Sequence, residues 1–296
     1  MSKAPAKPPT KGQNNDDFRR RRLSLTDVDT SEFGNSGTSS PQAGGRARRL
    51  SMSPEMGVVK KANELPFPLE VVGTYSCHGV EPGQRQGETH AKINQDRGCV
   101  VYPYGPEGKY AMFCVYDGHG ANGDKVAQFA SQNVATLVEE KLNAGMKPPE
   151  ALTKAFLEVD GKLKKDKSID ADLSGTTAVV IVYEIIDKTK GKLWAANCGD
   201  SRAVLQSEGK KTSDITEDQK PNTPVEQARI TKCGGYVSPP EEEWGGPARV
   251  WLDENMTLPG LAMARSIGDH LVDRVGVVAE PVVTTFDIDT SKDEML

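Results

Sequence analysis

Four aspartates stand where the sequence predicts the start of a strand or a tight turn: Asp96, Asp117, Asp200 and Asp269. If the fold brings two such carboxylates within about 4 Å, they repel each other by roughly 4 kcal/mol at an effective dielectric near 20. A divalent cation removes that repulsion, and oxygen ligands suit magnesium, manganese or calcium. Two such ions can activate a water and clamp the oxygens of an in-line displacement at phosphorus. The aspartates therefore predict a metal site with hydrolytic chemistry.

Two further side chains could complete such a site. His119 lies two residues after Asp117, in the run Asp117-Gly118-His119-Gly120, and could protonate a leaving alkoxide. Lys92 could supply the positive charge that binds a phosphate. Taken alone, however, the run is a plain turn closed by Asp and Gly, and His119 would only cap the helix that follows. Cys198 and His119 are too few to make a zinc site.

Apolar patterning predicts the elements that must position these residues. Residues 110–116 are mostly apolar and predict a buried strand that ends at Asp117. Apolar residues that recur over 126–142 and 152–163 predict two amphipathic helices. Further strands are predicted at 66–76, 98–102, 179–183, 192–197, 202–205 and 282–286, with a loop at 79–88 and a short helix at 223–233.

The order of these elements predicts the fold class. Short connections between the strands of 179–205 are typical of an antiparallel sheet. Strands, then two helices, then more strands is the order of an α+β domain in which helices cover antiparallel sheets. We expect one such domain over residues 65–296.

Residues 1–64 differ from the rest in composition. They are rich in Ser, Pro, Gly, Lys, Arg and Asn and have no sustained apolar period. Because such a segment cannot bury enough surface to offset its ordering entropy, we expect a disordered basic tail.

One pattern occurs twice in this tail, as Arg21-Arg22-Leu23-Ser24 and Arg48-Arg49-Leu50-Ser51. Arginines two and three positions before a serine resemble the sites of basophilic kinases, so Ser24 and Ser51 are candidate phosphosites. A phosphate there adds about two negative charges beside an arginine cluster. The alternatives are a solvated basic tail or a nuclear-import patch at residues 19–22.

Charge, cysteines and hydropathy exclude several classes of protein. The net charge is −5, and because the first 56 residues are basic, the rest of the chain is more acidic still. An acidic folded part argues against nucleic-acid binding. Five scattered cysteines without CxxC spacing predict reduced thiols in a cytoplasmic or nuclear protein. With no apolar run that could span a bilayer and no signal-peptide core, we expect no membrane association, and we expect a monomer.

Seven separated motifs together resemble those of the metal-dependent protein phosphatases of the 2C type, the PPM family. The resemblance covers residues 73–296, and the motifs occur in the family's order. They are Asn94-Gln95-Asp96, Val115-Tyr116-Asp117-Gly118-His119-Gly120, Ser174-Gly175-Thr176-Thr177-Ala178, Asn197-Cys198-Gly199-Asp200-Ser201-Arg202, Lys220-Pro221, Glu226-Gln227-Ala228-Arg229-Ile230 with Gly234-Gly235, and Leu261-Ala262-Met263-Ala264-Arg265-Ser266-Ile267-Gly268-Asp269.

The resemblance implies an activity, a metal and a fold. The activity is hydrolysis of phosphoserine and phosphothreonine in phosphoprotein substrates, by attack of a water that two Mg²⁺ or Mn²⁺ ions activate. The fold would be two antiparallel sheets packed face to face with helices outside. Residues 212–250 would match a variable flap beside the site.

The resemblance also implies a role for single residues. Asp117 would bridge the two ions, the carbonyl of Gly118 would bind one of them, and Asp96 would hold metal-bound waters. His119 would be the general acid and Lys92 would bind the substrate phosphate. A residue associated with a third, weaker metal is matched by Asp200.

The chain departs from the family's pattern at two places. Some relatives have an acidic residue where Gln95 stands, so one ion could be held through waters alone. The family also has two further metal-ligating aspartates, in an Asp-Gly and an Asp-Asn motif, downstream of the position matching Leu296. We therefore expect the sequence to be a fragment. Two alternatives remain: an inactive pseudophosphatase that binds phosphoproteins, and a scaffold whose tail is the functional part.

Overall fold

The computed structural model describes residues 73–295 apart from residues 86, 208, 210, 242–244, 290 and 292. In chain order its elements are β1 Val80–Pro82, β2 Thr89–Ala91, β3 Arg97–Tyr104, a 3-10 turn Pro106–Gly108, β4 Tyr110–Tyr116, β5 Gly118–His119, α1 Gly123–Asn143, α2 Pro148–Leu163, β6 Gly175–Thr176, β7 Ala178–Ile185, β8 Lys190–Cys198, β9 Val204–Ser207, β10 Ser213–Asp214, α3 Pro224–Lys232, β11 Tyr236–Ser238, β12 Arg249–Trp251, β13 Pro259–Leu261, β14 Ile267–Gly268, a 3-10 segment His270–Val275, β15 Val282–Asp289 and β16 Asp293–Met295.

A five-stranded antiparallel sheet forms the centre, in the order β15-β8-β7-β4-β3. Each of its strands carries a run of β-branched, aromatic or other apolar residues, which suits a pleated and buried surface. The predicted strands at 98–102, 110–116, 179–183, 192–197 and 282–286 are all confirmed as members of this sheet.

Helices α1 and α2 cover one face of the central sheet. The apolar stripes at 126–142 and 152–163 predicted both helices, and both are confirmed. Their buried side chains pack with those of β4, β7 and β8 into the largest apolar core, in which Tyr104, Tyr116 and Phe156 are fully buried. Burying an aromatic side chain stabilises the fold by about 1.5–3 kcal/mol.

The other face of the central sheet packs against a second, smaller antiparallel sheet, β10-β9-β16. A separate apolar cluster lies between them, to which Val179, Ile181 and Leu193 come from the central sheet and Leu205 comes from β9. The predicted α+β class with antiparallel sheets and flanking helices is therefore confirmed.

Residues 224–278 form what we call the flap unit, which overlaps the predicted flap. It contains α3 and the three-stranded sheet β11-β12-β13, around a small apolar core of its own. Beside this core, the buried carboxylate of Glu226 accepts hydrogen bonds from Arg265 Nη2 at 2.7 Å and Nε at 3.1 Å, and pairs with Arg229 Nη1 at 2.6 Å. Although burial alone would raise the pKa of Glu226, the two guanidinium groups hold it below its usual value.

The structure differs from the sequence-based prediction in short elements. The predicted loop at 79–88 contains β1 and the turn of a hairpin, whose second strand, β2, begins directly after it. The strand predicted at 202–205 begins at Val204, and residues 73–76 of the strand predicted at 66–76 have no regular structure. Two- and three-residue strands have too few positions to show an alternation, so no pattern could predict them. Residues 66–72 of the strand predicted at 66–76, the predicted tail and the predicted boundary at 64/65 lie outside the described residues.

No helix in the described ranges has both the length and the apolar character needed to cross a bilayer.

Candidate active site

Asp96 and Asp117 face each other at one end of the central sheet. The β3–β4 ladder pairs Arg97 with Tyr116, so the next step of the same register places Asp96 opposite Asp117. The pKa of Asp117 is raised, first because its carboxyl loses solvation and next because the Asp96 carboxyl lies beside it. The structure therefore brings these two carboxyl groups side by side at the end of the β3–β4 ladder.

A set of hydrogen bonds fixes Asp96 at the start of β3. Its backbone N–H donates to Asn94 Oδ1 at 3.1 Å, and Asn94 Nδ2 donates to Ser76 Oγ at 2.7 Å. Arg97 Nη1 donates to the carbonyls of Asn94 and Asp96, while its Nε donates to Gln128 Oε1 on α1 at 2.9 Å. Arg97 therefore ties the approach to Asp96 to the covering helix.

Thr177 fixes the backbone of Asp117. Its Oγ1 accepts the Asp117 N–H at 3.0 Å, and its own N–H donates to the Asp117 carbonyl at 2.9 Å. The same hydroxyl lies 2.6 Å from Ser201 Oγ, in the residue after Asp200. Because Thr177 is fully buried, these bonds form in a protected environment, where losing one partner costs about 1–3 kcal/mol.

A buried aspartate holds His119. The short sheet β14-β6-β5 pairs both His119 and Gly268 with Gly175, which brings the next residue, Asp269, beside the imidazole. Nε2 of His119 lies 2.6 Å from Asp269 Oδ2, and Asp269 is only 3% exposed. Burial alone would lower the pKa of His119, but the hydrogen bond and charge of Asp269 outweigh it and raise the pKa. His119 Nδ1 is buried without a hydrogen-bond partner in the described part of the chain.

Asp160 on α2 supports the turn that carries Asp269. Its Oδ1 accepts the Gly268 N–H at 2.9 Å and lies 3.0 Å from His270 Nε2. A side chain at Gly175 would collide with the carboxylate of Asp269, so only glycine lets this turn approach the sheet. The position of Asp269 therefore depends on both the helix and the glycine.

Asp200, predicted at a third metal, has a basic partner within the chain. Lys220 Nζ lies 2.5 Å from Asp200 Oδ2 and 3.9 Å from Asp218 Oδ2. The loop that carries Lys220 is tied to the Asp200 turn by Gln219, whose Oε1 accepts the Gly199 N–H at 2.7 Å. Lys220 is thus the charge partner that the structure gives Asp200.

Lys92 and Gln95 lie on the segment that leads into β3. The Lys92 backbone N–H donates to the Gly79 carbonyl at 2.8 Å, and its side chain is exposed. Gln95 Nε2 donates to the Gly120 carbonyl at 2.8 Å and so holds the turn after His119. In the part of the chain that the structure describes, no contact joins Lys92 to Asp96 or Asp117, and its binding of phosphate remains a prediction. Ser24 and Ser51 lie outside the described residues.

The donor set fits a hard cation that keeps part of its water shell. No group of three or more Asp, Glu, His or Cys side chains in the described ranges could by itself hold a metal ion. Asp96 and Asp117 offer two carboxylates, and Gly118 offers a neighbouring carbonyl. Magnesium is commonly bound through one or two carboxylates plus waters rather than by a complete protein cage. The arrangement therefore suits Mg²⁺ or Mn²⁺ better than zinc.

The partners of these residues, unlike the residues themselves, are not evident from the sequence. Asp269 stood out as a carboxylate closing a buried segment, but it lies 150 residues from His119. Lys220 and Glu226 were parts of motifs with no stated chemistry. The one sequence feature that could have revealed Asp269 is that this charged residue occurs beside a glycine and a mostly apolar run.

Comparison with known proteins identifies relatives of this chain. A family model described as "Protein phosphatase 2C" matches residues 77–296. "Probable protein phosphatase 2C 61" of Arabidopsis thaliana is 38% identical over 241 residues, which is 75% of this chain and 69% of the relative. "Probable protein phosphatase 2C 35" of the same plant is 32% identical over 213 residues, which is 65% of this chain and 59% of the relative.

A solved structure shares the fold. The crystal structure of serine-threonine phosphatase 2C from Toxoplasma gondii superimposes with a TM-score of 0.52 over 72% of this chain and 73% of that chain. At 20% sequence identity, this likeness concerns the fold alone.

Proposed function

The chain belongs to the protein phosphatase 2C family, and we propose that it is a cation-dependent serine/threonine phosphoprotein phosphatase. The observation that carries this proposal is the end of the β3–β4 ladder, where Asp96 and Asp117 face each other. Two residues after Asp117, His119 is held by a buried aspartate, Asp269. Opposed carboxylates beside an acid of raised pKa suit metal-assisted hydrolysis of a phosphate ester.

The chain's own residues have separate roles in this mechanism. Asp96, Asp117 and the Gly118 carbonyl would hold two Mg²⁺ or Mn²⁺ ions, and Asp200 a third, weaker one. When bound, such ions supply an activated water and neutralise phosphoryl oxygens. Asp269 orients the His119 ring through Nε2 and favours its protonated form.

His119 then supplies the proton for the leaving group. With Nε2 bonded to Asp269, the atom left to donate is Nδ1, which is buried and has no hydrogen-bond partner among the described residues. Donation from a positioned imidazolium to the departing serine or threonine oxygen lowers the barrier for leaving. Lys92, exposed after β2, would attract the substrate phosphate.

A second candidate is a pseudophosphatase that binds phosphoproteins without turnover. Two observations favour it: the described residues contain no complete set of metal-binding side chains, and Lys220 neutralises Asp200 at 2.5 Å. A lysine in place of a cation would preserve the fold while weakening metal binding.

The test measures turnover and metal binding separately. We expect the full chain to dephosphorylate a phosphothreonine peptide with added Mn²⁺, and to bind Mn²⁺ in calorimetry. Asp117→Asn should abolish turnover and weaken Mn²⁺ binding, because it removes one of the two facing charges. The matched control is Asp187→Asn, in the exposed turn between β7 and β8, which should change neither.

Each outcome separates the candidates. Binding of a phosphopeptide without turnover would favour the pseudophosphatase. Turnover that survives Asp117→Asn or EDTA would contradict the metal mechanism.

The tail carries a further part of the proposal. Ser24 and Ser51 would be phosphorylated by a basophilic kinase in the cytoplasm or nucleus, since both follow paired arginines. Such a kinase should label the native chain but not a Ser24→Ala/Ser51→Ala variant. Deleting residues 1–56 should leave turnover unchanged, whereas a scaffold role for the tail predicts loss of function.

A further inference from the structure

Two cysteines face each other in the ladder that leads to the site. Cys99 in β3 and Cys114 in β4 are direct partners in the antiparallel register. Their sulfur atoms lie 2.8 Å apart, and the two residues are 5% and 4% exposed. They belong to the apolar core under α1 and have no part in the proposed hydrolysis.

We propose that Cys99 and Cys114 are an oxidative modification site at which a peroxide closes a reversible disulfide. Directly opposed residues of an antiparallel pair have Cα atoms about 4.5–5.5 Å apart. A disulfide needs about 4.4–6.8 Å. The bond can therefore close with a change of side-chain torsions and little movement of the backbone.

Either sulfur could donate the hydrogen bond between the two thiols, so a second contact distinguishes them. Cys114 Sγ also lies 3.5 Å from the Cys99 carbonyl, so Cys114 is placed to keep its proton and donate it. The Cys114 thiol lowers the pKa of Cys99, while the Cys99 sulfur and burial raise the pKa of Cys114. The thiolate is the nucleophile in thiol oxidation. Cys99 is therefore the sulfur that attacks.

An oxidant reaches this pair only through a local opening, because Cys99 and Cys114 are 5% and 4% exposed. Among the described strands, β3 is the end strand of the central sheet, whereas β4 lies between two neighbours. Hydrogen peroxide is close to water in size and needs only a brief opening at that edge. An opening at that end of the sheet would expose the β3 side of the pair, which carries Cys99, the thiol of lowered pKa.

The chemistry is balanced with hydrogen peroxide as oxidant. The Cys99 thiol releases its proton, and the thiolate attacks one peroxide oxygen to give a sulfenic acid. The O–O bond breaks, and the hydroxide that leaves takes up the released proton to form the first water. Cys114 sulfur then attacks Cys99 sulfur, the S–O bond breaks, and water leaves. One peroxide is reduced to two waters while two thiols are oxidised to one disulfide.

The other cysteines do not share this arrangement. Cys77 and Cys233 are exposed. Cys198 is fully buried, its thiol lies 3.8 Å from the Val278 carbonyl as a donor, and burial raises its pKa. Among the described residues, Cys99 and Cys114 are the two cysteines whose sulfur atoms touch.

The test uses peptides that the sequence itself defines. Trypsin cuts after Arg97, Lys109 and Lys125, so Cys99 lies in the peptide 98–109 and Cys114 in 110–125. The native chain is treated with hydrogen peroxide, its remaining thiols are alkylated, and it is digested without reductant. We expect a linked pair of these peptides, lighter by two hydrogens than their sum, that separates after dithiothreitol.

Two variants and one measurement keep the result decisive. A Cys77→Ser/Cys233→Ser chain, altered only at exposed positions, should still form the link, whereas Cys114→Ala should not. The oxidised native chain should melt at a higher temperature than the reduced one, because the link constrains the unfolded state.

Two outcomes would overturn the proposal. One is full alkylation of Cys99 and Cys114 at a peroxide concentration that oxidises Cys77. The other is a link from Cys99 to Cys77 or Cys233 in place of Cys114. The experiment measures peptide masses and needs no catalytic activity, so its result does not depend on the proposed phosphatase function.

Discussion

The central sheet with its two helices and the flap unit of residues 224–278 are stabilised in different ways. The first encloses a large core in which Tyr104, Tyr116 and Phe156 are fully buried. The second has a small core beside a buried carboxylate that two guanidinium groups neutralise. The first region is therefore held chiefly by removing apolar surface from water, and the second by charges that must compensate each other.

The largest expected effect comes from unbalancing the flap unit's charges. In Glu226→Gln the shape is kept, but Arg265 and Arg229 lose their common counter-charge within the protein. Removing one partner of a buried ion pair costs about 3–5 kcal/mol. We expect the free energy of unfolding, measured with urea, to fall by about that amount.

The control lies on the same helix. Val225 is 72% exposed, so Val225→Ala should change the free energy of unfolding by less than about 0.5 kcal/mol. If Glu226→Gln costs no more than Val225→Ala, the ion pairs do not stabilise the flap unit.

Hydrogen exchange should show the next largest difference. The three-residue strands β11 and β12 belong to a unit with few buried contacts, whereas β4 and β7 lie inside the five-stranded sheet. Local stability follows the number of buried contacts. We expect amides of β11 and β12 to exchange at least about tenfold faster than those of β4 and β7. Equal protection would mean that the two regions open as one.

The same contrast explains how much could be predicted from the sequence. The strand at Tyr110–Tyr116 and the two long helices carry enough apolar positions to show their period, and all three were predicted. The hairpin of β1 and β2 is formed by exposed residues, so no apolar pattern revealed it. A periodic pattern of apolar residues therefore predicts only those helices and strands that bury one of their faces.

The site was predicted in the same uneven way. Asp96, Asp117 and His119 stood out because each follows or precedes a predicted strand. Asp269 also stood out, but its pairing with His119 could not be predicted, and neither could the contact of Asp160 with the turn that carries Asp269, because each joins residues more than a hundred positions apart in the chain. Long-range pairing depends on the whole fold, which a local pattern does not contain.

A pH-dependent effect should appear where the two regions meet. His270 Nε2 lies 3.0 Å from Asp160, and Asp273 and Lys164 also face the ring. Burial alone would lower the pKa of His270, but Asp160 outweighs burial and raises it. Because the folded-state pKa is the higher one, the extra stability is complete below the ordinary histidine pKa of about 6.5. It is lost as the pH rises through the folded-state value.

Thermal melts of the native chain and of His270→Gln check this sign. We expect the difference between their melting temperatures to narrow as the pH rises from 6 to 9. The corresponding loss of unfolding free energy should be smaller than the loss expected for Glu226→Gln. His119 titrates in both proteins, so its contribution cancels. If the difference in melting temperature between the two proteins stays constant from pH 6 to 9, the raised pKa of His270 is contradicted.

The smallest expected effect tests an exposed ion pair against the buried one. Lys154 Nζ lies 2.7 Å from Glu150 on the surface of α2, and both side chains are more than half exposed. Solvent screens such pairs, which contribute about 0.5 kcal/mol or less. Lys154→Ala should therefore leave the urea midpoint nearly unchanged, and a loss comparable to Glu226→Gln would remove the distinction drawn between the two regions.

The register of the β3–β4 ladder fixes the position of Asp96 relative to Asp117, and this limits where the chain can be altered. One end of the ladder sets Asp96 against Asp117, while the other end closes at the turn Pro106–Gly108. A residue inserted within either strand would slide one aspartate past the other and turn alternate side chains to the opposite face. Residues inserted at the turn would change neither the distance between Asp96 and Asp117 nor the face of the sheet to which each side chain points. The turn is therefore the place to splice in an affinity peptide or a fluorescent reporter without disturbing the carboxylates.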